Sequence, residues 1–362
     1  MTPPELGVAV VGAGADHWSG TAHIPALNVL SGVDLRRLVT STPESAEAAS
    51  ARWDVPATHE LDRVLADDTV DIVTVTVRVP KHAQIVEAAI DAGKHVYCEW
   101  PLAIDSAQAA KLAALSASNP GQVHVTGLQG RFSPHLRTAA AALAAGRIGT
   151  PLTASLRLYL PLGLLPRPAH RAHLRHRTVG ANVLSIQAGH TLDMLGTVLG
   201  PARVDTARLW SAVPEFLVDT GERLPRDAPD NLAAVLDYGG VIAVTQFSQT
   251  GPYESFELEI LGTEGLLHVA STGQPQFGGL TLSVTPLGSR TAEALQPRGD
   301  LPYTSPLPAE HPGHNVASAY LALADAIHTG HAAVPPPDFD AAVSLHELLD
   351  QIAAKTVDNH VS

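Results

Sequence analysis

From its N-terminus the chain alternates short runs that are apolar at nearly every position with longer stretches whose apolar residues recur at helical spacing. Leu6–Val11 (LGVAVV) is the first such run. Strands are expected there and at Val33–Thr40, Val70–Val79, His95–Cys98 and Gln122–Thr126, with helices at Thr21–Leu30, Pro43–Arg52, Lys81–Ala92 and Asp105–Ala117 between them. The stretch VDIVTVTVRV is rich in β-branched residues, as a strand buried on both faces requires. Alternating strands and helices imply right-handed crossovers and a parallel sheet, whose ligands sit at the carboxyl ends of the strands. Gly12, Thr40, Val79 and Glu99 are expected along that rim.

Past Thr126 the pattern changes. A helix at Pro134–Ala145 ends at AGRIG, where glycine stops it. Strand-like runs follow at Leu152–Leu160, Ala202–Trp210, Asn231–Asp237, Val241–Phe247, Phe256–Leu261 and Gly265–Val269, interrupted by one long helix at Asn182–Leu199. Tight turns such as Tyr238-Gly239-Gly240 indicate antiparallel pairing. The reading is two domains: an α/β nucleotide-binding domain over 1–126 and an α+β domain over 127–362. Residues 161–168 and 271–313 are expected to be surface loops. Helices at Asn315–His328 and Asp340–Ala354 close the chain, the last placed to pack back on the first domain.

Composition narrows the function classes. The chain has 362 residues, 45% hydrophobic and 16% charged, which suits folded domains rather than disorder. A net charge of −13 argues against binding nucleic acid or an anionic membrane. One cysteine, Cys98, cannot form an internal disulfide. With a strand beginning at Leu6, no room is expected for a signal peptide, and no run is long enough to span a bilayer, so a cytoplasmic location is expected.

Gly12-Ala13-Gly14 follows the first strand directly and precedes a helix, the arrangement that lays a pyrophosphate on backbone N–H groups. The third position of G-x-G-x-x-G holds His17, and Gly20 stands by to take up part of its role. The alternative is a tight turn in some other α/β protein. At the end of the second strand, Thr40-Ser41-Thr42 offers hydroxyls and no carboxylate. This favours NADP over NAD, with Arg36 or Arg37 as partners for a 2′-phosphate unless both face solvent.

The motifs HIPAL, AGKHVYCEWPLA, GRFSP, GRIGTP and GHTLDML occur in this order. Together they resemble the glucose–fructose oxidoreductase / inositol dehydrogenase / MocA family over residues 6–200, and more loosely to the final helix. The resemblance implies a Rossmann domain, a C-terminal domain with an open, mostly antiparallel sheet, a nicotinamide cofactor, and oligomers formed through the open sheet. It also implies hydride transfer at a secondary alcohol of a sugar, inositol or related polyol. GLQGRFSP, CEWPLA and GHTLD are similar to a narrower branch that includes the galactose-pathway co-repressor of fungi, which binds a dinucleotide but acts by holding another protein.

The departures bear on chemistry. The family's E-K-P motif reads Glu99-Trp100-Pro101 here, so an indole replaces the lysine that contacts the reacting hydroxyl. The aspartate expected four residues before His190 is Ile186. His190 and Asp193 remain, one helical turn apart, as a candidate proton relay and its orienting acid; packing at a domain interface is the alternative. Trp100 either stacks on a sugar ring or the nicotinamide, or plugs a cleft that no longer turns over. Glu99 and Pro101 are placed beside the cofactor, where Glu99 orders the loop or contacts a ribose. Gln129 and Arg131 are candidate pocket groups. Lys81 is a weaker substitute acid, and Lys94 is expected to be structural. His170, His173 and His176 form H-x-x-H-x-x-H, but with arginines between them and no cysteine nearby they are read as a loop over the pocket, His173 contacting a polar or anionic substrate. No metal site is assigned.

These residues support an NAD(P)-dependent oxidoreductase acting on a sugar-like or cyclic polyol, forming a homo-oligomer. Two alternatives stay open: a non-catalytic dinucleotide-bound regulator of a protein partner, and reduction of another carbonyl or an imine.

Overall fold

The computed structural model describes residues 4–14, 17–297 and 301–356. Contacts divide them into two compact units. The first holds the described residues up to Phe132 together with Leu301–Ser344; the second runs on from Ser133 and resumes at Leu345. The sequence reading divided the chain once, at 126.

In the first unit, strands β1 (Leu6–Val11), β2 (Val33–Val39), β3 (Ala57–Thr58), β4 (Ile72–Val75), β5 (His95–Glu99) and β6 (His124–Gly127) form a parallel sheet in the order β3-β2-β1-β4-β5-β6. Between them run α1 (Ile24–Leu27), α2 (Pro43–Trp53), α3 (Leu61–Leu65), α4 (His82–Asp91) and α5 (Ser106–Ala117). The sheet reverses direction between β1 and β4, and ligands of such sheets bind outside the strand ends at that point. β1 and β4 are buried at every position, which is why their sequences carry no alternation.

β4 is shorter than the apolar run suggests. It stops at Val75; Thr76 still bonds β1, its N–H donating to Val11 O at 2.9 Å and its hydroxyl to the same oxygen at 2.8 Å, and the chain bends at Val77. Pro80 then sits in a single turn, Val79–Lys81, since a proline has no N–H for a ladder. The rim residue of this strand is therefore Thr76, and Val79 lies off the sheet.

The second unit is built on an eight-stranded sheet in the order β16-β15-β14-β13-β7-β12-β11-β8. Its strands are β7 (Pro151–Tyr159), β8 (Arg203–Trp210), β11 (Asn231–Tyr238), β12 (Val241–Ser248), β13 (Ser255–Gly262), β14 (Gly265–Ser271), β15 (Thr281–Pro286) and β16 (Glu293–Ala294). All neighbours are antiparallel except β7 and β12. Burial alternates along β11, β12 and β13, so one face meets a core and the other is open. A small hairpin, β9 (Glu215–Leu217) and β10 (Arg223–Pro225), stands apart from the sheet. Helix α6 (Pro134–Ala144) packs against α7 (Gly189–Leu199).

One loop expectation and the single domain boundary change. Residues 271–313 contain β15, whose only alternating apolar residues are Leu282 and Val284, and the two-residue β16, too little to stand out from a proline- and glycine-rich background. The segment 301–344 joins the first unit through α8 (His314–Thr329), whose Val316, Ala319, Tyr320 and Leu323 are buried in one cluster with Val8, Ile24 and Ile72. The final helix, α9 (Phe339–Lys355), begins in the first unit, where Phe339 stacks on His124 with ring centroids 5.8 Å apart. It ends in the second, where Thr356 bridges Ala207. Among the described residues, no helix is long and apolar enough to cross a membrane.

Candidate functional site

The glycine turn after β1 is built for close approach. Gly12 has φ +101°, and a Cβ there would meet Thr76 Oγ1 at 2.9 Å and Val77 Cγ1 at 3.0 Å. Its N–H donates to Val39 O at 2.8 Å, which ties the turn to the end of β2. Ser19, fully buried and not singled out in the sequence, donates its hydroxyl to Gly12 O at 2.8 Å. Gly14 has an ordinary backbone, but the His17 ring lies over it, and a Cβ on Gly14 would stand 2.5 Å from His17 Nδ1. The third glycine position is thus filled by an imidazole. Gly20 is buried in a widened, π-type turn at Ser19–His23 that feeds α1.

At the end of β2, Thr42 caps α2: its hydroxyl accepts from Ser45 N at 3.2 Å, and Ser45 Oγ accepts from Thr42 N at 3.0 Å. Thr40 Oγ1 accepts from Ser45 Oγ at 2.9 Å, and Ser41 is exposed. Arg36 pairs with Asp34 at 2.9 Å and Glu5 at 3.2 Å, and Arg37 with Asp67 at 2.7 Å. The two arginines are engaged by acids of their own neighbourhood, leaving hydroxyls at this rim.

Glu99 ends β5, and its side chain is 11% exposed. His23 Nε2 lies 2.9 Å from Glu99 Oε1, His23 Nδ1 lies 2.8 Å from the Tyr320 hydroxyl, and that hydroxyl lies 2.9 Å from Thr74 Oγ1. Four elements contribute one residue each to this buried chain. The Tyr97 and Tyr320 rings stack at 5.1 Å, and Tyr97 meets His23 edge-on at 5.2 Å. Burial pushes both phenols up, and the Glu99 carboxylate pushes the same way. A carboxylate in this position has room only because residue 127 is glycine, where a Cβ would stand 2.5 Å from Glu99 Oε1.

The Trp100–Pro101 peptide is cis, and Trp100 is buried. His82 clamps the loops on either side: Nδ1 lies 2.9 Å from Pro101 O and Nε2 2.9 Å from Val77 O. Burial lowers the His82 pKa and raises that of Cys98, whose sulfur lies 3.4 Å from His82 Nδ1. Cys98 is a packed thiol. Gln129 and Arg131 occupy a short turn, Gln129–Phe132, after β6. Gln129 Oε1, Thr126 Oγ1 and the Tyr97 hydroxyl are buried without a hydrogen-bond partner among the described residues. Lys81 is exposed, while Lys94 Nζ donates to Val70 O at 2.8 Å and Asp67 O at 3.0 Å at the other end of its strand. The set formed by the Gly12 turn, the β2 hydroxyls and the β5 carboxylate fits a dinucleotide: an anion cradle followed by groups for ribose hydroxyls.

In the second unit, His190 and Asp193 are both buried on the first turns of α7. The helix expected at 182–199 begins with Asn182 as cap, accepting from Leu184 N at 2.9 Å, and continues through a π-type turn at Val183–Ala188. The Gly189 N–H there reaches back to Leu184 O. The extra residue in this turn means that position 186, four before His190, is not one regular turn above it. Gln187 is buried, and its Oε1 accepts from Gln249 Nε2 at 3.0 Å. His173 lies in a turn at Ala169–Arg175, its Nδ1 3.0 Å from His170 O, and His176 is 3.9 Å from Asp227. No group of three metal-ligating side chains occurs among the described residues.

Sequence reasoning missed His23, Ser19, Tyr320 and Gln249. His23 lies inside the quoted HIPAL, but nothing local says that its partners come from β5 and α8.

Two family models match the chain. One, described as an oxidoreductase family with an NAD-binding Rossmann fold, covers residues 6–126, and a GFO/IDH/MocA C-terminal domain covers 136–268. The dehydrogenase aclE of Aspergillus oryzae is 32% identical over 236 residues, or 62% of this chain and 64% of that protein. The galactose/lactose metabolism regulatory protein of Kluyveromyces lactis is 26% identical over 220 residues, or 55% of this chain and 48% of that one. The chain thus matches about half to two thirds of the length of these relatives. A levoglucosan dehydrogenase, solved in complex with NADH and levoglucosan, superposes with a TM-score of 0.83 over 97% of each chain. Its identity of 20% makes this a likeness of fold.

Proposed function

Because the chain belongs to the GFO/IDH/MocA oxidoreductase family, we propose that it moves hydride between a nicotinamide dinucleotide and a secondary alcohol, or the matching ketone, of a sugar-like or cyclic polyol. The observation that carries the reading is the glycine turn at Gly12, with its positive φ, beside a buried and oriented Glu99 on the rim of a parallel sheet. The bound dinucleotide supplies the hydride acceptor or donor. The chain's own residues do the rest. Amides of the Gly12–Gly14 turn bind the pyrophosphate, and the hydroxyls of Thr40, Ser41 and Thr42 bind the adenosine end, favouring NADP because no carboxylate stands there. Glu99 and Pro101 shape the loop beside the nicotinamide ribose.

For alcohol oxidation, hydride leaves carbon while a proton leaves oxygen. His190 takes that proton on its imidazole, and Asp193 orients the ring. Trp100, Gln129, Arg131 and His173 contact the substrate, with the indole offering a flat apolar face and one N–H donor. A histidine relay of this kind contributes roughly 100- to 10,000-fold. The test is nicotinamide absorbance with NAD+, NADP+ and their reduced forms against aldoses, inositols and keto-sugars. Turnover on any of them supports the reading, and dinucleotide binding without turnover on the whole panel counts against it.

Trp100 and Ile186, standing where the family carries a lysine and an aspartate, favour a second reading: a dinucleotide-bound regulator that holds a protein partner. Similarity to the Kluyveromyces regulatory protein supports it. It predicts tight dinucleotide binding and no turnover.

A further inference from the structure

The loop between β7 and the turn leading into α7 carries Arg167, Arg171, Arg175 and Arg177 and no acidic residue of its own. Arg167 is pinned by its backbone to the β9–β10 hairpin: its N–H donates to Leu217 O and its carbonyl accepts from Asp219 N, each at 2.9 Å. Its guanidinium stands over the Phe216 ring, 5.9 Å from the centroid. No carboxylate among the described residues pairs with it. Burial first, then the like charges of Arg171 and Arg226, pull its pKa down to about 10. A half-buried guanidinium held against its own kind is costly unless an anion joins it.

Arg226 lies close enough to Arg167 to repel it, and Arg175 meets the chain just after Arg226. The Arg175 carbonyl accepts from Asp227 N at 3.1 Å and Ala228 N at 3.0 Å, and its Nε–H is buried with no acceptor among the described residues. The Arg226 side chain is 5% exposed. Its Nε donates to Ala228 O at 3.1 Å and its Nη2 to Gln249 Oε1. The nearest acid, fully buried Asp230, is already filled: it accepts from Ala212 N at 2.7 Å, Val213 N at 2.9 Å and Asn231 Nδ2 at 2.7 Å. Arg226 Nη1 lies 3.6 Å from it, beyond a good hydrogen bond. The carboxylate nearest Arg226 is thus already satisfied, and Arg167 has no acid partner among the described residues. Gln249, held by Arg226, donates in turn to Gln187, three residues before His190.

We propose that Arg167, Arg175 and Arg226 form an oxyanion subsite that takes a carboxylate or phosphate carried by the substrate. The assignment of that anion to a substrate rests on the reading of His190 as the proton relay. Guanidinium forks match the paired oxygens of either group. Gln249 and Gln187 then fix the subsite relative to the turn that leads into the His190 helix, so an anionic polyol is selected over a neutral one.

The test is calorimetric binding to the full chain at low salt, with no turnover needed. The probes are D-glucose, D-glucuronate, D-glucose 6-phosphate and inorganic phosphate, on wild type, Arg167→Gln and Arg175→Gln. The expected result is that one charged sugar binds at least about tenfold more tightly than glucose, and that the arginine variants lose this preference. Preference for glucuronate assigns a carboxylate; preference for glucose 6-phosphate, with competition by inorganic phosphate, assigns a phosphate. Equal binding of charged and neutral sugars, no binding of any anionic probe at tens of millimolar, or a preference that survives both variants overturns the proposal. The wild-type comparison stands by itself if a variant does not fold. Absence of nicotinamide turnover, with the anion preference intact, would sink the hydride-transfer reading and leave the subsite.

Discussion

His23 Nε2 sits 2.9 Å from Glu99 Oε1, although the two residues are 76 positions apart and His23 is wholly buried. The carboxylate that ends β5 is therefore aimed by a side chain from the glycine-turn side of the sheet, and that side chain is braced by Tyr320 from α8. The arrangement couples the β1 turn, the β5 tip and the C-terminal helix of the first unit. Substituting His23→Ala leaves a buried carboxylate without its donor and should cost about 3 kcal/mol, the scale for breaking a buried charged contact. Urea unfolding at neutral pH measures this. A loss within the range of an ordinary surface change would show that Glu99 does not depend on His23.

Gly127→Ala probes the same carboxylate from the other side. The added Cβ would stand 2.5 Å from Glu99 Oε1, so the carboxylate must leave His23. The expected result is a loss of about 1–3 kcal/mol, in line with overpacking. The double variant with His23→Ala should be less damaged than the sum of the singles, because both break one contact. Strict additivity would mean that they act independently.

Gly12→Ala addresses the dinucleotide. Alanine at φ +101° is strained by about 1–2 kcal/mol, and its Cβ meets Thr76 and Val77. Binding of NAD+ and NADP+, followed by calorimetry or quenching of tryptophan fluorescence, should weaken at least about tenfold, one step of about 1.4 kcal/mol. Unchanged affinity would remove the turn from the cofactor site.

Acid stability has an assignable source in His124. Its Nδ1 lies 2.7 Å from Ser116 Oγ and its Nε2 2.8 Å from Gln122 Oε1, so the neutral ring is satisfied by accepting from the serine and donating to the amide. Burial, then the charge of His95, pulls its pKa from 6.5 to about 4. The unfolded chain, titrating near 6.5, binds more protons between those values. The stability linked to the neutral ring is fully present above pH 6.5 and falls as pH drops toward 4, with a slope no steeper than about 1.4 kcal/mol per pH unit. Urea midpoints measured across this window should drop more steeply in wild type than in His124→Gln. Parallel curves would place the acid sensitivity elsewhere.

The parallel sheet is legible in the sequence because its central strands are buried on both faces, so LGVAVV and IVTV are apolar or β-branched without interruption. The over-long reading of β4 fails for a specific reason: Val77 and Val79 continue the composition of the strand after the chain has bent away from the sheet beyond Thr76. Within the site, local features are readable: the glycine turn, Thr42 at the head of α2, and His190 on its helix. Relations between distant residues are not. His23 and Glu99 meet through the sheet topology, Gly127 matters only for the carboxylate above it, and Arg226 matters through Gln249. The widened turn at Val183–Ala188 is equally silent in the sequence, yet it changes what position 186 can mean relative to His190.

The central claim is the proposed hydride transfer, with His190 carrying the alcohol proton although Trp100 stands where the family has a lysine. The direct measurement is reduced-nicotinamide formation by wild type and His190→Ala on one substrate, with dinucleotide affinity determined for both. The account predicts turnover in wild type, a loss of about 100-fold or more in the variant, and equal dinucleotide affinity. Equal turnover in the two proteins, or tight dinucleotide binding with no turnover in wild type on any polyol, sugar or sugar acid, would contradict it.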